Sequence, residues 1–131
     1  MSLVNLLVIL ALLQYVYFAS RVGWARGKYD VPAPATTGNP IFERHYRVQS
    51  NTLELLILLV PAVWIASAYW NPLFIAAMLA IYIVGRHIYY VTYIQDPKKR
   101  SMGFGLSFLP IVALLLSGLG GAVWALIRTG I

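Results

Sequence analysis

At residues 47–60 the chain reads RVQSNTLELLILLV, so that a short polar stretch runs directly into an apolar one. Arg47, Asn51 and Glu54 are spaced i, i+4 and i+7, which on an α-helix places the three side chains within an arc of roughly 60°. Ionisable groups in a membrane segment usually face protein or a wet cavity, and they mark a candidate functional site. The stretch therefore predicts a membrane helix that carries one polar stripe.

The composition is that of an integral membrane protein. Of the 131 residues, 60% are hydrophobic and only 11% are charged, which is more apolar than a soluble domain of this size requires. Four apolar segments lie near residues 3–22, 51–70, 73–94 and 104–127, and each is close to the ~20 residues that cross a bilayer. We therefore expect an all-α fold, a bundle of four transmembrane helices, that forms one domain over residues 1–131.

The connections between these segments predict where the helices begin. Asn39 followed by Pro40 is typical of a helix N-cap with proline at the first helical position. Asn71-Pro72 indicates a tight turn between antiparallel helices. Pro97 either ends the third helix or begins an extension of the fourth.

The basic residues predict the topology. Nine of the ten Lys and Arg residues lie in the first and third connections or in the helix segments beside them, and only Arg128 lies on the opposite side. The positive-inside rule then places those two connections in the cytoplasm. The short chain and the lack of a retention signal favour a bacterial inner membrane over the endoplasmic reticulum. This topology accounts for the net charge of +6, and no nucleic-acid-binding motif is present.

A second polar stripe lies in the third apolar segment, where Arg86, Tyr89, Tyr90 and Tyr93 recur at helical spacing. Two such stripes predict a pocket for a polar, charged small molecule. The simpler alternative is that Arg47 and the carboxylate of the first stripe neutralise each other, with the amide between them as a bridge. We expect no metal site, since there is no cysteine and no metal-ligand pair of histidines. If the protein is an enzyme, the reactive atom would belong to the bound ligand.

Three motifs resemble a known family. They are PATTGNP (34–40), FERHYRVQSNTLE (42–54) and VGR (84–86), the last followed by two spaced tyrosines and by KRS (99–101). Together they resemble the MAPEG family, the membrane-associated proteins in eicosanoid and glutathione metabolism, over essentially the whole chain. The similarity is greatest to the branch of microsomal glutathione transferase 3 and leukotriene C synthase.

The resemblance implies a homotrimer of four-helix subunits, with glutathione bound as a cosubstrate between neighbouring subunits near the cytosolic face. The residues that it implies as glutathione contacts are Arg47, Asn51, Glu54, Arg86, Tyr89 and Tyr93 from one subunit, and Arg26 and Gln49 from its neighbour. It implies that Arg100 stabilises the glutathione thiolate, which makes this arginine the catalytic candidate.

Three functions are compatible with these residues. The first is a glutathione transferase acting on a hydrophobic electrophile from the lipid bilayer, with glutathione-dependent reduction of a lipid hydroperoxide as a further activity. The second is a non-catalytic lipid-binding or scaffold protein of the same fold, which should have lost the glutathione contacts. The third is a small transporter that uses the charged stripe as a solute path, which no specific residue supports.

Overall fold

The structure, a computed structural model that describes all 131 residues, consists of four long α-helices and no strand. Helix α1 spans Ser2–Tyr29, α2 spans Pro40–Ser67, α3 spans Pro72–Gln95 and α4 spans Ser101–Thr129, and a 3₁₀ turn, Pro97–Lys99, links α3 to α4. Each of the four helices is long and apolar enough to cross a membrane. The expected all-α fold with four membrane-length helices is confirmed.

The helices begin where local chemistry predicts. The Asn39 side-chain oxygen accepts hydrogen bonds of 2.9 and 3.0 Å from two backbone N–H groups in the first turn of α2. Asn71 caps α3 in the same way, with a bond of 2.7 Å. Asp96 caps the 3₁₀ turn, so Pro97 begins the link into α4 and stands outside α3.

The bundle is packed around α2 and α3, each of which contacts the three other helices. The main buried cluster draws apolar side chains from all four helices, among them Val4, Leu59, Leu79 and Leu114. The outer surface is also apolar: Trp64 is 81% exposed and Leu73 is 70% exposed. Such a surface is suited to contact with lipid, where backbone polar groups must be satisfied within the helices.

Helices α3 and α4 approach each other closely at two glycines. A Cβ atom on Gly85 would lie 2.7 Å from the carbonyl carbon of Leu106, and one on Gly103 would overlap the backbone of Tyr89. Small residues at such crossings allow two helix backbones to come into contact. The first turns of α4 are therefore held directly against the C-terminal half of α3.

Arg44 joins α2 to the end of α3. Its guanidinium donates hydrogen bonds of 2.8 and 3.1 Å to the carbonyl oxygens of Ile94 and Gln95. These last-turn carbonyls have no partner within their own helix, and a cation is favourable at a helix C-terminus. Arg44 and the two glycine contacts thus bring the ends of α2, α3 and α4 together on one side of the bundle.

We expect Gly103→Ala to destabilise the protein, because the added methyl group has no space against Tyr89, and overpacking of this kind costs about 1–3 kcal/mol. Gly105 lies on the same helix with no atom near its missing Cβ, so Gly105→Ala is the matched control and should be neutral or slightly stabilising. Thermal unfolding in detergent measures both variants. Equal melting temperatures for the two would contradict the close α3–α4 contact.

Candidate functional site

The polar stripe of residues 47–54 lies on α2, and two of its side chains form an ion pair on the outer surface of the bundle. Arg47 Nη1 lies 3.2 Å from Glu54 Oε1, and the two side chains are 50% and 59% exposed. Asn51, between them in sequence, is buried and makes no bond to either. The ion pair of the simpler alternative is therefore present, but the amide bridge is not.

A cavity of about 430 Å³ opens where α2, α3 and α4 converge. This volume lies within the range of small-molecule sites, about 300–1,000 Å³. Its walls are formed by six side chains: Arg47, Asn51, Tyr89, Tyr93, Arg100 and Phe104. The two polar stripes predicted from the sequence thus contribute to one pocket, and α4 supplies its third wall.

Aromatic rings form one side of the pocket. Tyr89 and Tyr93 stack with ring centres 5.3 Å apart, and Phe104 from α4 lies 6.5 Å from Tyr89. The two phenols offer hydroxyl groups on an otherwise apolar wall. Tyr90 does not belong to this wall, because its hydroxyl accepts a bond of 3.1 Å from Arg21 on α1. The expectation that Tyr90 shares the polar stripe is wrong.

Arg100 is an exposed arginine at the mouth of the pocket. The one hydrogen bond that its side chain makes within the chain runs from Nη1 to the carbonyl oxygen of Pro97, at 3.0 Å. A guanidinium has five N–H donors, so most of those on Arg100 are free to meet a ligand. The pocket therefore has a cationic donor that the fold itself does not occupy.

Arg86 lies behind the pocket, fully buried. Its Nε donates to Ser107 Oγ at 2.9 Å, and its Nη1 donates to Asn51 Oδ1 at 2.7 Å and to Thr52 Oγ1 at 3.2 Å. The guanidinium also lies over the ring of Tyr89, 4.2 Å from its centre. The structure thus places Arg86 against two lining residues and outside the lining itself.

Arg26 and Gln49 lie away from this pocket. Arg26 donates bonds of 3.2 and 2.7 Å to the carbonyl oxygens of Val31 and Ala35, in the first connection. Gln49 donates to the hydroxyl of Tyr15 on α1 at 3.2 Å. Within one chain, neither residue joins the group that forms the cavity.

Three residues at the site were not predicted from the sequence: Phe104 in the lining, and Thr52 and Ser107 as partners of Arg86. A signal for two of them exists, because Phe104 and Ser107 on α4 follow Arg100, the residue just before this helix, at spacings of i+4 and i+7. This is the same spacing as in the α2 stripe. The signal is weak because an aromatic residue and a serine in an apolar helix are ordinary packing residues.

The charges around the pocket favour an anion. Arg47 and Arg100 line it and Arg86 lies behind it, whereas Glu54 is the one carboxylate of the stripe. The other acidic residues of the chain, Asp30, Glu43 and Asp96, lie at helix ends. An excess of positive charge in a concave site raises the local concentration of anionic ligands. A ligand with carboxylates and peptide groups would suit these partners.

Comparison with known proteins identifies the relatives of this chain. Its sequence matches the MAPEG family over residues 4–120. It is 46% identical to microsomal glutathione S-transferase 2 of Homo sapiens over 107 residues, which cover 82% of this chain and 72% of that protein. It is 40% identical to an uncharacterised protein of Synechocystis sp. over 121 residues, 92% of this chain and 88% of that protein. It is 32% identical to leukotriene C4 synthase of Cavia porcellus over 99 residues, which cover 76% of this chain and 66% of that protein. The family and branch indicated by the motifs are confirmed.

We expect the two arginines of the site to differ in their effect on stability. Arg100→Ala removes an exposed side chain with one local bond, so the free energy of unfolding should change by no more than about 0.5 kcal/mol. Arg86→Ala leaves a cavity and unpaired buried oxygens. It should therefore lower the free energy of unfolding by about 3 kcal/mol or more. Unfolding of the ligand-free protein in detergent measures both. Similar losses for the two variants would contradict the placement of Arg86 behind the pocket and Arg100 at its mouth.

Proposed function

This chain belongs to the MAPEG family, and from that membership and the pocket we propose that it is a membrane-bound glutathione transferase. Residues 1–131 would act as one four-helix domain that joins the glutathione thiolate to hydrophobic electrophiles. The observation that carries the proposal is the cavity between α2, α3 and α4, which gathers Arg47, Asn51, Tyr89, Tyr93 and Arg100. The names of the relatives, a glutathione S-transferase and a leukotriene C4 synthase, support a glutathione-conjugating role.

Glutathione matches the chemistry of these residues. It carries two carboxylates, one ammonium group, peptide groups and a thiol, and its net charge becomes more negative when the thiol ionises. Arg47 would bind a carboxylate, because a guanidinium donates two parallel hydrogen bonds to it. Glu54 would accept the ammonium group, while Asn51 and the tyrosines would meet the peptide groups. The excess positive charge of the pocket would favour the thiolate form.

Arg100 would activate the thiol. A cation beside a thiol lowers its pKa by stabilising the thiolate, which is the nucleophilic form. The proton leaves to solvent, the thiolate sulfur forms a bond to the electrophilic carbon, and the leaving group departs with its electron pair. With a lipid hydroperoxide, the same thiolate would attack oxygen. A second glutathione would complete the reduction to the alcohol, water and glutathione disulfide.

The apolar cosubstrate would reach the pocket from the bilayer along α4. Phe104 lines the cavity and stacks on Phe108 at 5.4 Å, and Phe108 and Leu109 are exposed on the outer surface. This row of apolar side chains connects the pocket with the surface that faces lipid. It supports a hydrophobic electrophile over a soluble one.

We propose that the protein is a homotrimer. The Arg47–Glu54 pair is half exposed on a membrane-spanning helix, where contact with lipid would be costly. A neighbouring copy that covers this face of α2 would remove the cost. It would also explain why Arg26 and Gln49 lie away from the pocket of their own chain, since each would serve the pocket of the adjacent subunit.

We further propose that the pocket opens to the cytoplasm of a bacterial inner membrane. The basic residues are concentrated at the pocket end of the bundle, and the positive-inside rule assigns that end to the cytosol. Glutathione from the cytosol would then enter directly. The Synechocystis relative, matched over 88% of its length, supports a bacterial setting.

Arg100→Ala should separate thiol activation from binding. We expect turnover of glutathione with 1-chloro-2,4-dinitrobenzene to fall about 100-fold, the usual loss when a preorganised donor to a developing charge is removed. The glutathione Kd, measured by calorimetry at a pH low enough to keep the bound thiol protonated, should stay within about threefold of the original, because Arg100 would favour the thiolate form alone. Lys99→Ala removes the adjacent exposed cation, which lies outside the pocket, and is the control with unchanged turnover.

Arg47→Ala should instead weaken glutathione binding by about tenfold or more, because a charged hydrogen bond is lost. If Arg47→Ala and Arg100→Ala both retained normal turnover, the site assignment would be wrong. Glutathione binding without any turnover in the unmodified protein would favour the non-catalytic lipid-binding alternative.

Subunit mixing tests the trimer. Chains with Arg26→Ala and chains with Arg47→Ala should each turn over slowly alone when glutathione is kept well below their weakened Kd. When they are coexpressed, every mixed trimer should regain one unaltered pocket of its three, or about a third of the activity, because a cyclic assembly pairs each Arg47 with a neighbour's Arg26. Each kind of chain carries its own affinity tag, and the activity of complexes purified through both tags measures this. Failure to regain activity, or a monomeric mass in detergent, would contradict a shared site.

A further inference from the structure

We infer that Arg86 is a positioning residue, one that fixes the direction of the Asn51 amide and so makes the pocket select a hydrogen-bond acceptor at this point. The inference rests on the proposed function, because the acceptor is taken to be a peptide or carboxylate oxygen of glutathione. On this assignment Arg86 acts through Asn51 and does not touch the ligand. This differs from the direct contact that the family resemblance implies for Arg86.

The chemistry of the two side chains leaves one orientation for the amide. A guanidinium carries donors and no acceptor, so the Asn51 atom that lies 2.7 Å from Arg86 Nη1 must be the oxygen. The length is typical of a charge-assisted bond. The amide nitrogen, Nδ2, then points away from Arg86 and makes no hydrogen bond within the chain. Since Asn51 lines the cavity, its N–H donors are left for the ligand.

The direction of Arg86 is itself fixed from two helices. The Thr52 hydroxyl donates to the Val48 carbonyl at 2.7 Å, and the Ser107 hydroxyl donates to the Gly103 carbonyl at 2.6 Å. Both hydroxyl hydrogens are thereby used, so each oxygen presents lone pairs to Arg86. The guanidinium is held between α2 and α4 and cannot turn away from the Asn51 oxygen without losing these bonds.

The consequence is specificity for a ligand oxygen. A free asparagine can turn its amide over and accept from a ligand N–H as readily as it donates to an oxygen. With the oxygen held by Arg86, only donation remains. One guanidinium nitrogen of Arg86, Nη2, is buried without a partner, and direct contact of Nη2 with the ligand is the competing role that the experiment must separate.

A double-mutant cycle on the full-length protein in detergent separates the two roles. The glutathione Kd is measured by calorimetry for Arg86→Gln, Asn51→Ala and the double variant. Each single change should raise the Kd by about tenfold, and the double variant no further, because coupled residues are not additive. A double variant weakened by the product of the two factors would overturn the inference, since Arg86 would then bind independently of Asn51.

If Arg86→Gln does not fold, a variant that combines two milder substitutions replaces it. Thr52→Val with Ser107→Ala removes two of the three acceptors of Arg86, while Thr92→Val, whose hydroxyl bonds only its own helix, is the control. The combined substitutions should raise the glutathione Kd when Asn51 is present, and they should leave the Kd unchanged in an Asn51→Ala background. An effect that persists without Asn51 would overturn the positioning role.

Asn51→Asp tests the selected direction of the hydrogen bond. The carboxylate keeps the bond to Arg86 but presents an oxygen where the amide presented N–H, so its glutathione Kd should exceed that of Asn51→Ala. Binding as tight as in the unmodified protein would show that no donor is required there. Absence of glutathione binding in the unmodified protein would overturn the proposed function together with this inference, whereas binding with an additive cycle would overturn the inference alone.

Discussion

Arg86 carries a positive charge into the centre of a membrane bundle that offers it no carboxylate, and neutral oxygens from α2 and α4 hold it there. A buried charge needs hydrogen-bond partners, and the three that Arg86 Nε and Nη1 have allow few arrangements of the helices that supply them. The same side chain also lies against the ring of Tyr89. Three helices are therefore fixed relative to one another at the depth where the pocket forms.

The glycine contacts explain why the network can close. Gly103 lets α4 lie against the backbone of Tyr89, and its carbonyl accepts from Ser107, one of the residues that hold Arg86. Arg100 lies about one turn before Gly103, immediately before α4 begins. The contact at Gly103 therefore also sets the mouth of the pocket. Packing, a buried polar network and the position of an exposed arginine are thus consequences of one helix crossing.

Much of the fold could be predicted from the sequence, because it depends on local chemistry. The cap at Asn39, the turn at Asn71-Pro72 and the four apolar segments need no knowledge of the neighbours. The pocket was predicted in part, since helical spacing brings Arg47 and Asn51, and likewise Tyr89 and Tyr93, onto one side of a helix. Spacing cannot say how far a helix is rotated against its neighbours, which is why Tyr90 turned out to face α1. The roles of Arg26 and Gln49 stay predictions, since one chain does not contain the surface that they would serve.

The most direct test of a pocket built to hold glutathione as a thiolate is an ultraviolet difference spectrum of the purified protein with added glutathione at neutral pH. We expect a thiolate absorption band that grows as glutathione is added and saturates when one thiolate is bound per site. The spectrum reports ionisation of the thiol before any second substrate is needed. Absence of the band would contradict ionisation of the thiol in this pocket, and absence of glutathione binding by calorimetry as well would contradict a glutathione site.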